Sequence, residues 1–510
     1  MKVIIQAGGL GTRMKTLTAS KPKALIAVQN KPILFHLFDD LKEADFIIVG
    51  DYKYDVLDHY IATFAKDVDC ILVKAKGKGN VAGLTEALTY VPDNETVMII
   101  WSDLILPDGF KVNENISGCQ VGTVGFACSW QFADGGLKHE KVDVGEGRGV
   151  AGLYIFDNKS RLETLPEEGS FTTWLSQQTF PMTELPLDGC KDVGTLQAYQ
   201  QLDNSKYRCR PYNKIEVKEE IVVKSGLTKE AETFILREVD WYTAVSKYGF
   251  KNAPKLLESN PMTLERIKGQ NLFLCSLNID GKRATFKRVV DALAKLHSYD
   301  SKPADSWDLY REYFTKTLNR LYSIASALPF SLAPTIRING RDCKNVLVHT
   351  ELFRRAVLDT LMKTHYTPFH GDCQLTNTLL DEAGNVYFID ARGYFGKSKV
   401  LGDPRYDWAK LYYAIEGNFD QFNVKNFTFE QNEDGVSFEI GASGWGSFTD
   451  ELFNLIPSGE GNRKEIELIH SIVWLSMASH VWEDYDSMCV AFYNGVELFN
   501  KWMEDYGYAA

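Results

Sequence analysis

The 510-residue sequence has no apolar run of about 18 residues, the length a membrane-spanning helix requires. Met1-Lys2 leads straight into the strand-like Val3-Ile4-Ile5 without a signal-peptide pattern, so the expectation is a cytoplasmic protein with no membrane partner. The nine cysteines are scattered, odd in number and without a C-x-x-C pair, which argues against a disulfide framework and a structural zinc site. No long Lys/Arg block is present, and 56 Lys+Arg against 68 Asp+Glu leave a net charge of −12. That balance excludes a general binder of nucleic-acid backbone and points to small-molecule substrates, with homo-oligomerisation left open. There is no internal repeat and no low-complexity segment, and 45% hydrophobic with 12% aromatic residues excludes disorder.

What is present divides along the chain. Val3-Ile4-Ile5, Phe46-Ile47-Ile48-Val49, Cys70-Ile71-Leu72-Val73 and Val97-Met98-Ile99-Ile100 are short apolar runs separated by helical-period stretches. This spacing predicts an α/β first domain over residues 1–205 with a largely parallel sheet. A polar, Pro-containing connector follows near 203–213. Beyond it lie a strand pair (214–217 and 220–224) and a helical stretch (229–248), in a small α+β lobe over 206–270. Residues 271–510 read as a larger, mostly helical lobe with one strand-like interruption at 385–389.

Directly after the first apolar run stands Gln6-Ala7-Gly8-Gly9-Leu10-Gly11-Thr12-Arg13. Gly8, Gly9, Gly11 and Thr12 suit a loop whose backbone N–H groups close around a triphosphate, and Arg13 supplies a bidentate cation. Lys21-Pro22-Lys23-Ala24-Leu25 adds Lys23 as a second cation. The whole run resembles the G-G-x-G-T-R…P-K-x-L signature of sugar-phosphate nucleotidylyltransferases, over roughly residues 1–205. That resemblance implies a Rossmann-like fold with a mixed, mainly parallel sheet. It also implies that Asp103 (in Trp101-Ser102-Asp103) and Asp192 (in Lys191-Asp192-Val193-Gly194-Thr195) hold Mg²⁺. By the same analogy Lys141, in Glu140-Lys141 ahead of Gly152-Leu153-Tyr154, holds the acceptor's phosphate. Arg13, Lys23 and Lys141 would offset the repulsion between two anions in an in-line attack on the α-phosphorus. Two features depart from the signature. Ser102 replaces the usual Gly before the metal carboxylate, and the base-reading segment 76–83 matches no particular base. Asn80 within it is the candidate base contact, with a loop cap as the alternative; the segment leaves the nucleotide open, and the expectation is CTP or UTP/dTTP.

The second half contains His370-Gly371-Asp372-Cys373-Gln374-Leu375-Thr376-Asn377, of the form H-G-D-x-x-x-x-N, and Asp390 stands thirteen residues after Asn377. This pattern resembles the aminoglycoside and choline kinase family, which implies a two-lobed, protein-kinase-like α+β domain. In that resemblance Asp372 accepts the proton of the substrate hydroxyl, and Asn377 and Asp390 hold Mg²⁺ on the phosphates of ATP. Lys224 matches the phosphate-binding lysine and Glu238 its helix-borne partner, with Glu232 competing for that place. Residues 262–269 look like the hinge that reads adenine. The segment 402–410 is similar to the family's G-D-P-x-x-D-x-A element, whose Asp407 anchors the catalytic loop. Arg392 departs from the family pattern and would steady phosphates or cap a turn. Trp408, Tyr412, Tyr413, Trp474, Trp482, Tyr485 and Tyr493 form either a cation box or core packing.

A kinase makes a phosphomonoester and a nucleotidylyltransferase consumes one. The expectation is therefore a bifunctional enzyme that phosphorylates a small hydroxylated metabolite with ATP, either a sugar or an amino alcohol such as choline or ethanolamine. The ester would then be converted to an NDP-linked precursor for a surface glycan or lipid. The competing reading makes one half a non-catalytic nucleotide sensor that regulates the other.

Overall fold

Strands buried on both faces of a parallel sheet require near-continuous apolar runs, and the four runs near the start of the chain form such strands. In the computed structural model, which describes residues 1–112, 116–145, 148–202 and 212–508, they are Lys2–Gln6, Asp45–Gly50, Cys70–Lys74 and Val97–Trp101. The chain divides into two units, one of Met1–Ser205 with Glu483–Asp486 and one of Lys206–Trp482 with Ser487–Ala510. Most of the connector expected near 203–213, including the boundary at 205, lies outside the described residues.

In the first unit Lys2–Gln6 pairs in parallel with Asp45–Gly50 on one side and Val97–Trp101 on the other, and Cys70–Lys74 extends the first flank. The chain thus leaves its first strand in one direction and returns in the other, which opens a crevice at the strands' carboxyl ends. Beyond Val97–Trp101 the sheet turns antiparallel through Gly149–Phe156 and Cys119–Val124, and Met182–Pro186 closes that flank in parallel. The result is a Rossmann-like mixed sheet whose core gathers Ile4, Ile47, Val49, Ile99, Tyr154 and Phe171.

The second unit begins with a four-stranded antiparallel sheet, in the order Asn213–Val217, Ile221–Gly226, Met262–Glu265, Leu256–Ser259. The helix Lys229–Lys247 packs beside it, entered through Thr228, whose hydroxyl caps Ala231 N. Helices follow, among them Ile279–His297, Thr350–Leu361, Pro404–Ile415 and Arg463–Ala478. The expectation of a single strand-like interruption is corrected here. Val386–Phe388 is a strand, but it pairs with Thr378–Asp381 and through it with Gly269–Asn271. A further four-stranded sheet joins Thr335–Ile338, Arg341–Lys344, Phe427–Gln431 and Val436–Ile440. These strands have only four or five residues each, too few for alternation to register as a pattern.

None of the eight described cysteines is in a disulfide. Among the described residues no helix is long and apolar enough to cross a membrane.

Candidate functional site

The first site lies in the crevice of the N-terminal unit. Ala7 N donates to Val49 O (2.8 Å) and Ser102 N to Gln6 O (3.1 Å), so the glycine loop and Asp103 leave adjacent strands at one level. Gly8 sits so close to Asp51 that a Cβ there would stand 2.9 Å from the Asp51 Cβ. Gly11 has φ +61, and its Cβ would lie 2.8 Å from Thr18 Cγ2, so conformation and space both demand glycine. Nothing lies within 4 Å of a Cβ built on Gly9, which leaves the loop open on its outer side. Thr12 and Arg13 are exposed on the turn that follows.

Two carboxylates face this loop. The short strand Lys191–Asp192 pairs with Leu104–Ile105, and Val193 N donates to Asp103 O (2.8 Å), which brings Asp192 beside Asp103. Burial, and then the charge of Asp103, raises the Asp192 carboxyl above its ordinary range, while Lys23 and Arg13 oppose the shift. Lys23 Nζ lies 2.6 Å from Asp103 Oδ2, and Gly194 N donates to Asp192 Oδ1 (2.6 Å). A repelling carboxylate pair with a lysine drawn onto it is an environment that a divalent cation relieves, so Asp103 and Asp192 fit Mg²⁺. No group of three or more His, Cys, Asp or Glu gathers as a metal cluster among the described residues. Phosphate oxygens and water would complete the shell, as suits Mg²⁺.

Lys141 is exposed, 3.2 Å from Asp143 Oδ1. Its neighbour Val142 bridges to Cys128, whose thiol is pushed up to about 11 by burial and then by Asp192. Cys128, across from Val142, thus lies within electrostatic reach of Asp192, while Lys141 itself pairs with Asp143. Asn80 acts as a loop cap: its Oδ1 accepts from Phe171 N (2.7 Å) and its main-chain O accepts from Gln6 Nε2 (2.7 Å). Only the amide nitrogen of its side chain is left to meet a base.

The second site belongs to the C-terminal unit. Lys224, on Ile221–Gly226, places Nζ 2.7 Å from Glu238 Oε2 and 2.7 Å from Asp390 Oδ1. Helical periodicity turns Glu238 inward and leaves Glu232 exposed, which decides between the two candidates. Burial pushes the Glu238 carboxyl up to about 7. Burial would also raise Asp390, but Lys224 outweighs it and holds Asp390 below the usual carboxylate range. Asp390 adopts φ 59, a left-handed conformation that is strained for a non-glycine residue and recurs at functional sites. Asn377 Nδ2 donates to Asp372 Oδ2 (2.9 Å), leaving its own Oδ1 for a cation. Asp390, with a lysine already on its carboxylate, and the Asn377 carbonyl fit a metal-bound polyphosphate.

Asp407 holds the loop between these groups. Its Oδ2 accepts from His370 N (2.7 Å) and its Oδ1 from Gly371 N (2.6 Å). It also meets His297 Nε2 at 3.1 Å, and His297 Nδ1 lies 2.7 Å from Glu460 Oε2. Burial disfavours a charge on His297, but Asp407 and Glu460 prevail and raise it to about 9. A histidine raised on folding contributes stability that is complete below its unfolded value of 6.5 and is lost as pH climbs through about 9. The melting temperature of the C-terminal unit is expected to decline across that window. His297→Gln should flatten the decline in a pH series of thermal melts, and an unaltered slope would mean that the ring is neutral in the fold.

The side chain of Arg392 lies against Gly371 of the 370–377 loop. It pairs with Glu312 at 2.7 Å. Trp408, Tyr413, Trp474 and Tyr493 are wholly buried, so this part of the suggested cation box is core.

Two buried groups at this site carry no signal in the H-G-D motif. Lys410 Nζ lies 2.7 Å from Asp372 Oδ1, beneath the rings of Tyr413 (4.8 Å) and Phe419 (5.6 Å). Asp420 Oδ1 accepts from Thr376 N (3.2 Å), and burial pushes its carboxyl up to about 7. The available signal for Lys410 was its place three residues after Asp407 on one helix, which puts both side chains toward the same loop. Asp420 follows from no spacing rule.

Comparison with known proteins bears on the first unit. Residues 3–119 match the family model of the MobA-like NTP transferase domain. A UTP--glucose-1-phosphate uridylyltransferase, AglF, of Haloferax volcanii is 31% identical over 146 residues, which are 28% of this chain and 55% of that protein. A glucose-1-phosphate cytidylyltransferase of Salmonella typhimurium is 42% identical over 67 residues, 12% of this chain and 26% of its own length. The chain thus spans about half of the first relative and about a quarter of the second. The crystal structure of HddC from Yersinia pseudotuberculosis aligns with 40% of this chain and 98% of its own, at 21% identity and a TM-score of 0.34.

Proposed function

We propose that the chain is a bifunctional cytoplasmic enzyme, a small-molecule kinase joined to a nucleotidylyltransferase. The observation that carries this reading is that each unit gathers its own acidic pair with a lysine drawn onto it. These are Asp103 and Asp192 with Lys23, and Asp390 and Glu238 with Lys224. The relatives of the first unit support nucleotidyl transfer to a phosphate ester. The kinase half stands on its motif and on the grouping of Lys224, Glu238, Asp372, Asn377 and Asp390.

In the kinase unit the acceptor hydroxyl gives its proton to Asp372 as its oxygen bonds to the γ-phosphorus of ATP, and ADP departs. Lys224, braced by Glu238, fixes the α- and β-phosphates, and Asp407 keeps the 370–377 loop in place. In the N-terminal unit a phosphate-ester oxygen attacks the α-phosphorus of the second NTP, CTP or UTP/dTTP, and pyrophosphate departs. The glycine loop with Thr12 holds the triphosphate, Arg13 and Lys23 offset its charge, and Lys141 holds the incoming ester. Mg²⁺, when held by Asp103 and Asp192 in the first unit and by Asn377 and Asp390 in the second, would supply charge neutralisation and orient the phosphates. The acceptor is a sugar or an amino alcohol, and the product is an NDP-linked precursor for surface glycan or lipid.

The deciding experiment incubates the full chain with Mg²⁺, ATP and a panel of sugars and amino alcohols, then adds each NTP and weighs the products. ADP is expected only when an acceptor is supplied, followed by one NDP-linked mass. Nucleotide binding without ADP release for any alcohol would make the C-terminal unit a sensor and defeat the kinase half.

A further inference from the structure

The second unit carries a basic groove that the two proposed reactions do not use. Between the helices Ser306–Tyr310 and Lys316–Ile324 the backbone makes a π-helical turn, Arg311–Thr315. Such turns are rare and recur at functional sites. The face they present lines a cavity of about 480 Å³ with Arg311, Glu312, Lys316, Asn319 and Arg320.

Charge in the groove is unbalanced. Glu312 is shared between Lys316 and Arg392, both at 2.7 Å, and Arg311 pairs with Asp308 at 2.8 Å. The side chain of half-buried Arg320 has no hydrogen-bonded or ion-paired partner among the described residues. The lining thus carries three cations, Arg311, Lys316 and Arg320, against one carboxylate, Glu312, in a chain whose net charge is −12. Burial, with Arg392 adding to it, holds Lys316 and Arg320 below their ordinary basicity, and a bound anion relieves that cost. A planar guanidinium beside an ammonium suits the tetrahedral oxygens of a phosphate group.

We propose that this groove is a binding site for a phosphate-bearing small molecule, whose phosphate is taken by Arg320 and Lys316. The inference goes beyond the proposed function and needs no turnover for its test. Arg392 links the groove to the loop above it: its backbone N donates to His370 O (2.9 Å), and it follows Asp390 by two residues.

The test titrates the full chain calorimetrically with inorganic phosphate, pyrophosphate and glucose 1-phosphate, in wild type and in Arg320→Gln, Lys316→Gln and Asn319→Asp. Asn319 is exposed, so its replacement adds a carboxylate to the groove without disturbing the core. Each variant is expected to weaken at least one probe by about tenfold, the worth of one charge-assisted hydrogen bond. Arg13→Ala and Lys224→Ala, in the other phosphate cradles, should leave that component of the heat in place. A preference for glucose 1-phosphate over the inorganic anions would assign the site to a phosphomonoester, and the reverse order to free phosphate or pyrophosphate. Unchanged affinities in folded Asn319→Asp and Arg320→Gln, or no heat from any probe at millimolar concentration, overturn the proposal. These outcomes are independent of whether ADP or an NDP-linked product forms.

Discussion

Asp372→Asn is expected to lower ATP-dependent phosphorylation by roughly 10²–10⁴, the contribution of a positioned general base, while nucleotidyl transfer from a supplied phosphate ester continues at the wild-type rate. The substitution keeps the side chain's size but removes its charge and its affinity for a proton. It also strips the counter-charge from Lys410, whose ammonium lies 2.7 Å from Asp372 Oδ1 and is almost fully enclosed. Leaving a buried charge unpaired costs about 3–5 kcal/mol, so the melting temperature should fall along with activity. The double variant Asp372→Asn/Lys410→Met separates the two effects. It should recover most of the lost stability and none of the lost turnover, because removing both members of a pair spares the uncompensated charge. Coupled assays for ADP and pyrophosphate, read beside thermal melts, check this. A folded Asp372→Asn protein that phosphorylates at the wild-type rate would remove Asp372 from the reaction, and simultaneous loss of both activities would mean the two units do not act separately.

The contrast between Asp372 and Lys410 shows what the sequence could convey. Asp372, Asn377 and Asp390 lie within nineteen residues in a motif whose spacing is fixed by one loop and one strand, so a linear reading finds them together. Lys410 and Asp420 reach the same loop from a later part of the chain, and their partnership exists only once helix Pro404–Ile415 has packed. The N-terminal sheet was legible for a similar reason. Four apolar runs of strand length, each bounded by turn residues, leave few alternatives to parallel strands, whereas the antiparallel flank carries weaker patterns. Cys119–Val124 reads as Cys-Gln-Val-Gly-Thr-Val, in which two polar side chains and a glycine break the apolar run although every residue is buried. Asn80 illustrates the opposite limit. Residue type and a glycine-rich setting suit either a base contact or a loop cap, and the choice depended on Phe171, ninety-one residues away.

Asp103→Ala is expected to have the converse effect to Asp372→Asn. Pyrophosphate release should fall by about 10³, the equivalent of several kcal/mol of charge stabilisation at the α-phosphate, with ATP-dependent phosphorylation intact. The structure also specifies how the remaining carboxylate responds. Asp103 is one cause of the upward shift at Asp192, second to burial, while Lys23 and Arg13 pull the other way. Removing Asp103 releases Lys23 from its 2.6 Å contact and takes away the repelling charge, so Asp192 should ionise at lower pH than in the wild type. The protein then keeps one carboxylate with two cations nearby, an arrangement that attracts nucleotide phosphates yet holds a divalent ion poorly. Nucleotide affinity measured without Mg²⁺ should therefore be retained or strengthened, and the Mg²⁺ concentration needed for half-maximal rate should rise steeply. A charge-preserving Asp103→Glu should fall between the two, because the carboxylate returns but its extra methylene displaces it from Asp192. Pyrophosphate release that is unaffected in a folded Asp103→Ala protein would remove Asp103 from the metal site.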